Sequence, residues 1–142
     1  MSEAFVVSDN ASDQGTPLAA WNASARLRAL PAITADLLVP PNCRAVIIAP
    51  HPDDEILGCG GLMSQLAQLQ RNLLLISVTD GTALEIPLEQ LAWTRAGFAD
   101  GTLGEHEDRL VEFLAQQLGP TDVVFATWAG DGHPDHEAVG RA

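Results

Sequence analysis

Runs of consecutive apolar residues alternate along this chain with segments whose apolar residues recur every three or four positions. Such runs are typical of strands buried on both faces of a sheet, and the periodic segments are typical of the helices that cover it. The pattern predicts, in chain order, a helix over Pro17–Leu30, a strand over Arg44–Ala49, a helix over Leu57–Gln70, a strand over Leu73–Thr79, a short strand at Leu91–Thr94, a helix over Glu105–Leu118, a strand over Asp122–Thr127 and a helix over Pro134–Ala142.

The alternation of strands and helices sets the expected fold class. Strands separated by helices imply a mostly parallel sheet with right-handed crossover connections. We expect an α/β fold with a Rossmann-like doubly wound sheet and helices on both faces. Residues 1–16 are mostly small and polar, which predicts a flexible arm, and residues 17–142 are expected to form a single domain. Because the last predicted helix stops at Ala142, we expect this domain to be truncated at its C-terminus.

Composition and charge exclude several kinds of partner. The 142 residues include 19 acidic and 7 basic ones, a formal net charge of −12, so the phosphates of nucleic acids and of anionic membranes would be repelled. No apolar run approaches the roughly 20 residues of a membrane span. The two cysteines, Cys43 and Cys59, give no disulfide framework, which fits a reducing compartment. We therefore expect a cytoplasmic protein, and its oligomeric state is left open.

Two clusters of histidines and carboxylates come after predicted strands. The sequence HPDDE at residues 51–55 follows the first strand, and HPDH at residues 133–136 comes shortly after the last one. The carboxyl ends of parallel strands meet at one edge of a sheet, which is where open α/β sheets place their sites. Within each motif, two potential metal ligands are three positions apart and can reach the same volume. We therefore expect the two motifs to build one site.

Imidazole and carboxylate groups in this arrangement predict a catalytic metal site. His51, His136 and one carboxylate of the Asp53–Asp54 pair would supply three protein ligands and leave a position for water, as in catalytic sites that hold zinc (Zn²⁺). Other divalent ions accept the same ligands. Spacing alone does not decide which aspartate binds the metal and which takes a proton from the water.

Four further residues are candidates for roles around this site. A protonated His133 would stabilise an oxyanion or donate a proton to a leaving amine. Asp135 is placed to hold one of the imidazoles, and the sequence does not say which one. Asp80, at the end of the second strand, is either a turn residue or part of the floor of the site. Arg95 follows the short third strand and is a candidate for contact with the substrate.

The two motifs, with Thr79-Asp80-Gly81 between them, resemble those of the PIG-L/LmbE-like de-N-acetylase family over residues 44–142. The resemblance implies an enzyme that uses a zinc-activated water to remove an N-acetyl group from a small N-acetylglucosamine-type substrate. It also implies a role for each motif residue: His51, Asp54 and His136 as metal ligands, Asp53 as the base and His133 as the electrophilic partner.

The chain departs from the family pattern between the two motifs. Relatives carry an Arg/Glu-rich helix after the Asp-Gly loop, whereas here TALEIPLEQLAWTRAGFADGTL follows Gly81 and leaves no room for it. Because that region borders the sugar pocket in relatives, a non-catalytic metal- or sugar-binding remnant of the same fold is one alternative. A mononucleotide-binding module at the sheet switch point is another, although GCGG at residues 58–61 lacks the spacing of a phosphate-binding loop.

Overall fold

The computed structural model describes residues 16–80, 89 and 91–142, and the chain divides into two units after Ala32. In the first unit, two short helices, α1 (Leu18–Ala23) and α2 (Ala25–Arg28), replace the single helix expected over Pro17–Leu30. Ser24 separates them because its backbone is extended and its hydroxyl accepts a hydrogen bond from the Leu27 N–H, which caps α2. Apart from Thr16, the arm expected at residues 1–16 lies outside the described residues.

Within its described residues, the second unit contains a four-stranded sheet in which every pair of neighbouring strands is parallel and the strand order is β3-β2-β1-β4. None of the helices in the described ranges is long and apolar enough to cross a membrane. The elements of this unit are, in chain order, α3 (Ala35–Leu38), β1 (Arg44–Ala49), α4 (Asp54–Gln68), β2 (Leu73–Thr79), β3 (Leu91–Phe98), a 3-10 turn (Leu103–Glu105), α5 (Glu107–Gln117), β4 (Asp122–Phe125) and α6 (Pro134–Arg141).

The sheet is buried on both faces because the pleat sends alternate side chains of β1 to opposite sides. Ile47 packs in a core cluster with Met63 and Leu66 of α4. Ile48 packs in a second cluster, which contains Leu110 of α5 and residues of α6. Burying each large aliphatic side chain contributes about 1.5–3 kcal/mol to stability. The helices therefore cover both faces, and the predicted doubly wound α/β fold is confirmed.

The predicted bounds are correct for β1 and β2 and wrong for the elements at the edges of the sheet. β3 continues to Phe98 instead of ending at Thr94, and β4 ends at Phe125 instead of Thr127. Among the strands that the structure describes, each of these two pairs on one side only, so neither needs a continuous apolar run, and the apolar run was the signal used for prediction. Helix α4 begins at Asp54, three residues earlier than predicted, because the turn after β1 leads directly into it.

The strand order creates a crevice at the carboxyl end of the sheet. β1 lies between β2 and β4. From β1 the chain continues to β2 and β3 on one side, and it reaches β4, on the other side of β1, only afterwards. This reversal of strand order is the topological switch point, where open α/β sheets bind ligands. The HPDDE turn follows β1, and the HPDH segment follows β4. The fold therefore brings the two motifs to the same crevice.

Helix α6, which carries the second motif, packs against the backbone after β4 without room for a side chain at Gly140. A Cβ atom at this position would lie 2.5 Å from the Ala129 nitrogen and 2.6 Å from the Thr127 oxygen. We expect Gly140→Ala to lower the free energy of unfolding by about 1–3 kcal/mol, because α6 or the segment after β4 would have to move. Urea unfolding would measure this change.

Gly61 provides the matched control for this substitution. It lies within α4, and a Cβ atom there would meet no other atom within 4 Å. Gly61→Ala should raise the free energy of unfolding by about 1 kcal/mol, because alanine is the better helix former. Equal effects of the two alanines would show that the close approach at Gly140 is unimportant.

An ion pair ties the amino end of β1 to β4. The Arg44 guanidinium donates hydrogen bonds from Nε to Asp122 Oδ1 at 3.0 Å and from Nη2 to Oδ2 at 2.6 Å. It also donates to the Gln117 carbonyl oxygen, at the end of α5. The Asp122 side chain is only 5% exposed, whereas the Arg44 side chain is 35% exposed. The hydrogen bonds from Arg44 to the Asp122 carboxyl are the main reason why the pKa of this group lies below its ordinary value.

This pKa shift predicts that acid weakens the fold in a specific range. The folded-state pKa of Asp122 lies below its unfolded-state value, so the stabilisation is complete above the unfolded-state value and is lost as pH falls through the folded-state value. At neutral pH, Asp122→Asn should lower the free energy of unfolding by about 1–2 kcal/mol. This value is low for hydrogen bonds between charged groups, because Arg44 is partly exposed and water weakens the interaction. The difference in unfolding free energy between the two proteins should shrink in acid, and a constant difference would contradict the assignment.

Candidate metal centre

The turn after β1 brings the first histidine and a carboxylate to the same side. The His51 N–H donates a hydrogen bond to Asp54 Oδ2 at 2.9 Å, which closes the turn at the start of α4. The same oxygen lies 3.4 Å from His51 Nδ1. A three-residue separation therefore places an imidazole nitrogen and a carboxylate oxygen side by side.

Asp53, between them, has an unusual backbone conformation. Its φ is 98° and its ψ is −25°, in the left-handed region that residues other than glycine, asparagine and aspartate rarely enter. The Asp53 N–H donates a hydrogen bond to Glu55 Oε2 at 3.2 Å, and Glu55 is only 1% exposed. The other oxygen, Glu55 Oε1, has no hydrogen-bond partner in the described part of the chain. Strained residues of this kind cluster at functional sites, and this one holds an exposed carboxylate beside Asp54.

The second motif forms the start of α6. His133 is the N-cap residue, Pro134 is in the first turn, and His136 follows within that turn. The Asp135 N–H donates a hydrogen bond to His133 Nδ1 at 3.3 Å. The Thr127 hydroxyl, just after β4, donates to the His136 carbonyl oxygen at 2.8 Å. The first of these hydrogen bonds orients the His133 ring within the motif, and the second fastens His136 to the segment after β4.

Three donor atoms from the two motifs converge in a nearly equilateral triangle. His51 Nδ1 lies 3.3 Å from His136 Nε2, and each of these nitrogens lies close to Asp54 Oδ2, at 3.4 Å and 3.3 Å respectively. Two ligands of one tetrahedral zinc ion, each about 2.0–2.1 Å from the metal, are about 3.3 Å apart. The three side chains are each 19% exposed. The donor set and its spacing therefore fit a metal ion that remains open to solvent on one side.

Asp135 contacts the outer nitrogen of His51. Its Oδ2 lies 3.1 Å from His51 Nε2 and also accepts the Gly101 N–H at 2.7 Å, while its Oδ1 accepts the Leu103 N–H at 3.1 Å. Burial acts to raise the pKa of the Asp135 carboxyl, but these hydrogen bonds outweigh it and the pKa lies below its ordinary value. An ionised Asp135 accepts the Nε2 proton of His51, so that the Nδ1 lone pair points into the triangle.

His133 lies beside the triangle and forms part of an alternative group of ligands. Its ring centroid is 4.8 Å from those of His51 and His136, and ligand atoms of the three histidines lie within 4.8 Å of one another. However, His133 Nδ1 accepts the hydrogen bond from the Asp135 N–H, so a neutral ring carries its proton on Nε2. This ring can then donate a hydrogen bond but has no free lone pair for a metal, which favours Asp54 as the third ligand.

Asp80 and Arg95 lie apart from these contacts. The Asp80 N–H donates a hydrogen bond to the Phe98 carbonyl oxygen, which joins the end of β2 to β3. The sequence predicted that Arg95 follows the third strand. It lies within β3 instead, because that strand extends to Phe98. Its guanidinium packs over the Trp93 ring, 4.3 Å from the centroid. A place for Asp80 in the floor of the site and a contact between Arg95 and the substrate stay predictions.

Two aspartates that sequence reasoning missed also contact the histidines. Asp131 Oδ2 lies 2.6 Å from His136 Nδ1, and Asp100 Oδ1 lies 3.1 Å from His51 Nε2. Each precedes a glycine in a loop after a strand, as Asp80 does. Asp-Gly pairs at strand ends were therefore a usable signal, but only Asp80 was selected from the sequence.

The nearby cysteine does not supply a nucleophile. Cys59 borders a cavity of about 210 Å³ that Asp54 and Glu55 also line. Burial raises the pKa of the Cys59 thiol, which keeps it protonated, whereas a nucleophilic cysteine needs its thiolate form. The chemistry available at this site is therefore that of imidazoles, carboxylates and the ion they fit.

Comparison with known proteins adds sequence relatives. The family described as PIG-L: GlcNAc-PI de-N-acetylase matches residues 46–90, which include the HPDDE turn. The chain is 33% identical over 98 residues to a 1D-myo-inositol 2-acetamido-2-deoxy-alpha-D-glucopyranoside deacetylase of a Nocardioides species, and 32% identical over 95 residues to the enzyme of that name from Salinispora arenicola. These matches cover 66% and 67% of this chain but 32% and 30% of the relatives, so the chain spans about a third of their length.

Two solved structures are similar to this chain in fold. The conserved protein TT1542 from Thermus thermophilus is 30% identical with a TM-score of 0.53, and the match covers 68% of this chain and 51% of that protein. N,N'-diacetylchitobiose deacetylase from Pyrococcus horikoshii is 22% identical with a TM-score of 0.51, over 69% of this chain and 46% of that one, which shows a shared fold. In its sequence over residues 46–90 and in its likeness to these deacetylases, the chain is similar to members of the PIG-L family.

Proposed function

We propose that this chain carries the catalytic centre of a metal-dependent hydrolase that removes the N-acetyl group from an N-acetylglucosamine-type amino sugar conjugate. The observation that carries the proposal is the triangle of His51 Nδ1, Asp54 Oδ2 and His136 Nε2, with edges of 3.3–3.4 Å. The substrate class comes from the names of the relatives, which are deacetylases of acetamido sugars. The chain spans about a third of the length of those relatives, so deacetylation by this chain is itself proposed.

Zinc is the ion that we propose for the triangle. Two imidazole nitrogens and one carboxylate oxygen form a ligand set found in catalytic zinc sites, although other divalent ions accept the same donors. A bound zinc ion lowers the pKa of water to roughly 7 and polarises a carbonyl group. His51, Asp54 and His136 would hold the ion and leave one side free for water and the acetamido group.

Asp53 would act as the base. Its carboxylate is exposed next to Asp54 and takes no part in the triangle, and the left-handed backbone fixes where the side chain starts. From this position it would take a proton from the attacking water. His133, with its proton on Nε2, would donate a hydrogen bond to the carbonyl oxygen as negative charge develops there. The proton that Asp53 takes from the water would then pass to the leaving amine. Amide cleavage thus needs only these two groups besides the ion.

The test combines metal analysis with product analysis on the purified chain. We expect close to one zinc per chain and acetate release from 1D-myo-inositol 2-acetamido-2-deoxy-α-D-glucopyranoside or N,N'-diacetylchitobiose that a chelator abolishes and added zinc restores. Absence of bound metal would overturn the proposal. Stoichiometric metal without acetate release would favour a non-catalytic metal-binding remnant of the same fold.

A further inference from the structure

We propose that Asp131 is a positioning residue that fixes His136 as a metal ligand. The inference rests on the proposed function, because it concerns the same site. Asp131 Oδ2 lies 2.6 Å from His136 Nδ1, whereas the contacts inside the triangle are 3.3–3.4 Å. A carboxylate oxygen this close to Nδ1 repels a lone pair on that nitrogen and favours a proton there, so the neutral ring keeps its lone pair on Nε2, which faces His51 and Asp54.

This contact completes an arrangement that favours a cation. Asp135 already holds the outer nitrogen of His51, and Asp131 does the same for His136. With both rings in these tautomers, the three atoms of the triangle all present lone pairs to one another, and no hydrogen bond can form between them. Such an arrangement is unfavourable unless a positive ion lies at its centre. By favouring these tautomers, the carboxylates of Asp135 and Asp131 favour the binding of a metal ion in the triangle.

The loop that carries Asp131 is fastened on both sides of this residue. The Asp131 N–H donates a hydrogen bond to the Trp128 carbonyl oxygen at 3.1 Å. The Gly132 N–H donates to Glu137 Oε1, which lies next to His136 on α6, at 3.2 Å. Gly132 has a φ of 93°, which allows the chain to turn into the helix. The backbone therefore holds the carboxylate toward His136, although its side chain is 42% exposed.

An exposed pair of charges would by itself contribute little to stability. The role proposed here is different, because it acts through the tautomer of His136 and appears in metal affinity. Carboxylates that orient metal-binding histidines typically change the affinity for the metal by 10–100-fold. We expect a change of that size at Asp131, with little change in the stability of the metal-free chain.

The test uses three variants, Asp131→Ala, Asp131→Asn and Asp108→Ala. Asp108 is an exposed aspartate in the first turn of α5, so its removal changes the net charge equally. Zinc dissociation constants are measured by competition with a chelator. We expect Asp131→Ala to weaken binding by 10–100-fold, Asp131→Asn to restore part of the loss because its amide oxygen still accepts the Nδ1 proton, and Asp108→Ala to change nothing. Equal affinities of Asp131→Ala and the unchanged chain would overturn the inference.

A second readout separates this inference from the proposed function. Nitrogen-15 NMR of the metal-free chain at alkaline pH distinguishes the two tautomers of His136 by the chemical shifts of its ring nitrogens. The unchanged chain and Asp108→Ala should show the proton on Nδ1, and Asp131→Ala should show a mixture. If the chain binds no zinc but this signal changes as expected, the proposed function fails, and only the control of the His136 tautomer by Asp131 stands. A His136 tautomer that does not respond to Asp131→Ala refutes the role.

Discussion

Replacing Asp53 with asparagine is expected to abolish turnover and to leave the metal bound. The substitution removes the carboxylate that would take the proton from the attacking water, and loss of a general base typically lowers kcat by about 10²–10⁴-fold. Asp53 lies outside the triangle of donor atoms. Its φ of 98° also suits asparagine, which enters the left-handed region more readily than most residues. The backbone at the start of α4 should therefore keep its conformation.

The measurement is kcat for acetate release together with zinc content of the same preparation. Asp108→Asn, at an exposed position on α5, is the matched control and should behave like the unchanged chain. Loss of zinc from Asp53→Asn would show that Asp53, and not Asp54, is the ligand. Full activity with zinc present would remove Asp53 from the reaction.

The central strands were predictable from sequence because burial on both faces demands apolar residues throughout. β1 and β2 have the bounds that the apolar runs predicted. The bounds of the edge strands were not predictable, since β3 mixes half-buried positions with exposed ones such as Trp93 and Arg95. A strand paired on one side tolerates polar residues, so apolar runs do not predict where such a strand begins and ends. Prediction of the sheet therefore worsens from its centre to its edges.

The nomination of His51, Asp54 and His136 came from local spacing and from a family resemblance, and the structure brings these residues together. Their supporting contacts were beyond the reach of the sequence. Asp135 lies next to His136 in the chain, yet its carboxylate contacts His51, 84 residues away. This pairing depends on β1 and β4 being neighbours in the sheet and on the direction of the first turn of α6. Neither property follows from the pattern of apolar residues.

Replacing His136 with alanine is expected to remove the metal. The substitution leaves His51 Nδ1 and Asp54 Oδ2, and two donors 3.4 Å apart hold an ion much less firmly than three. We expect the zinc dissociation constant to rise by more than about 100-fold, beyond the effect of losing a residue that only orients a ligand. Metal analysis after gel filtration and chelator competition would measure this, and acetate release should disappear with the metal.

Two further histidine variants show whether this loss is specific. His106→Ala removes an imidazole at the N-cap of α5, whose ring packs near Phe98, and should leave zinc binding unchanged. His133→Ala removes the ring that would act as a hydrogen-bond donor, so zinc should stay and turnover should fall. If His133→Ala releases the metal as completely as His136→Ala, the three imidazoles of His51, His133 and His136 form the coordination site. Asp54 would then lie outside it, and the hydrogen bond from the His51 N–H to its carboxylate would be its main role.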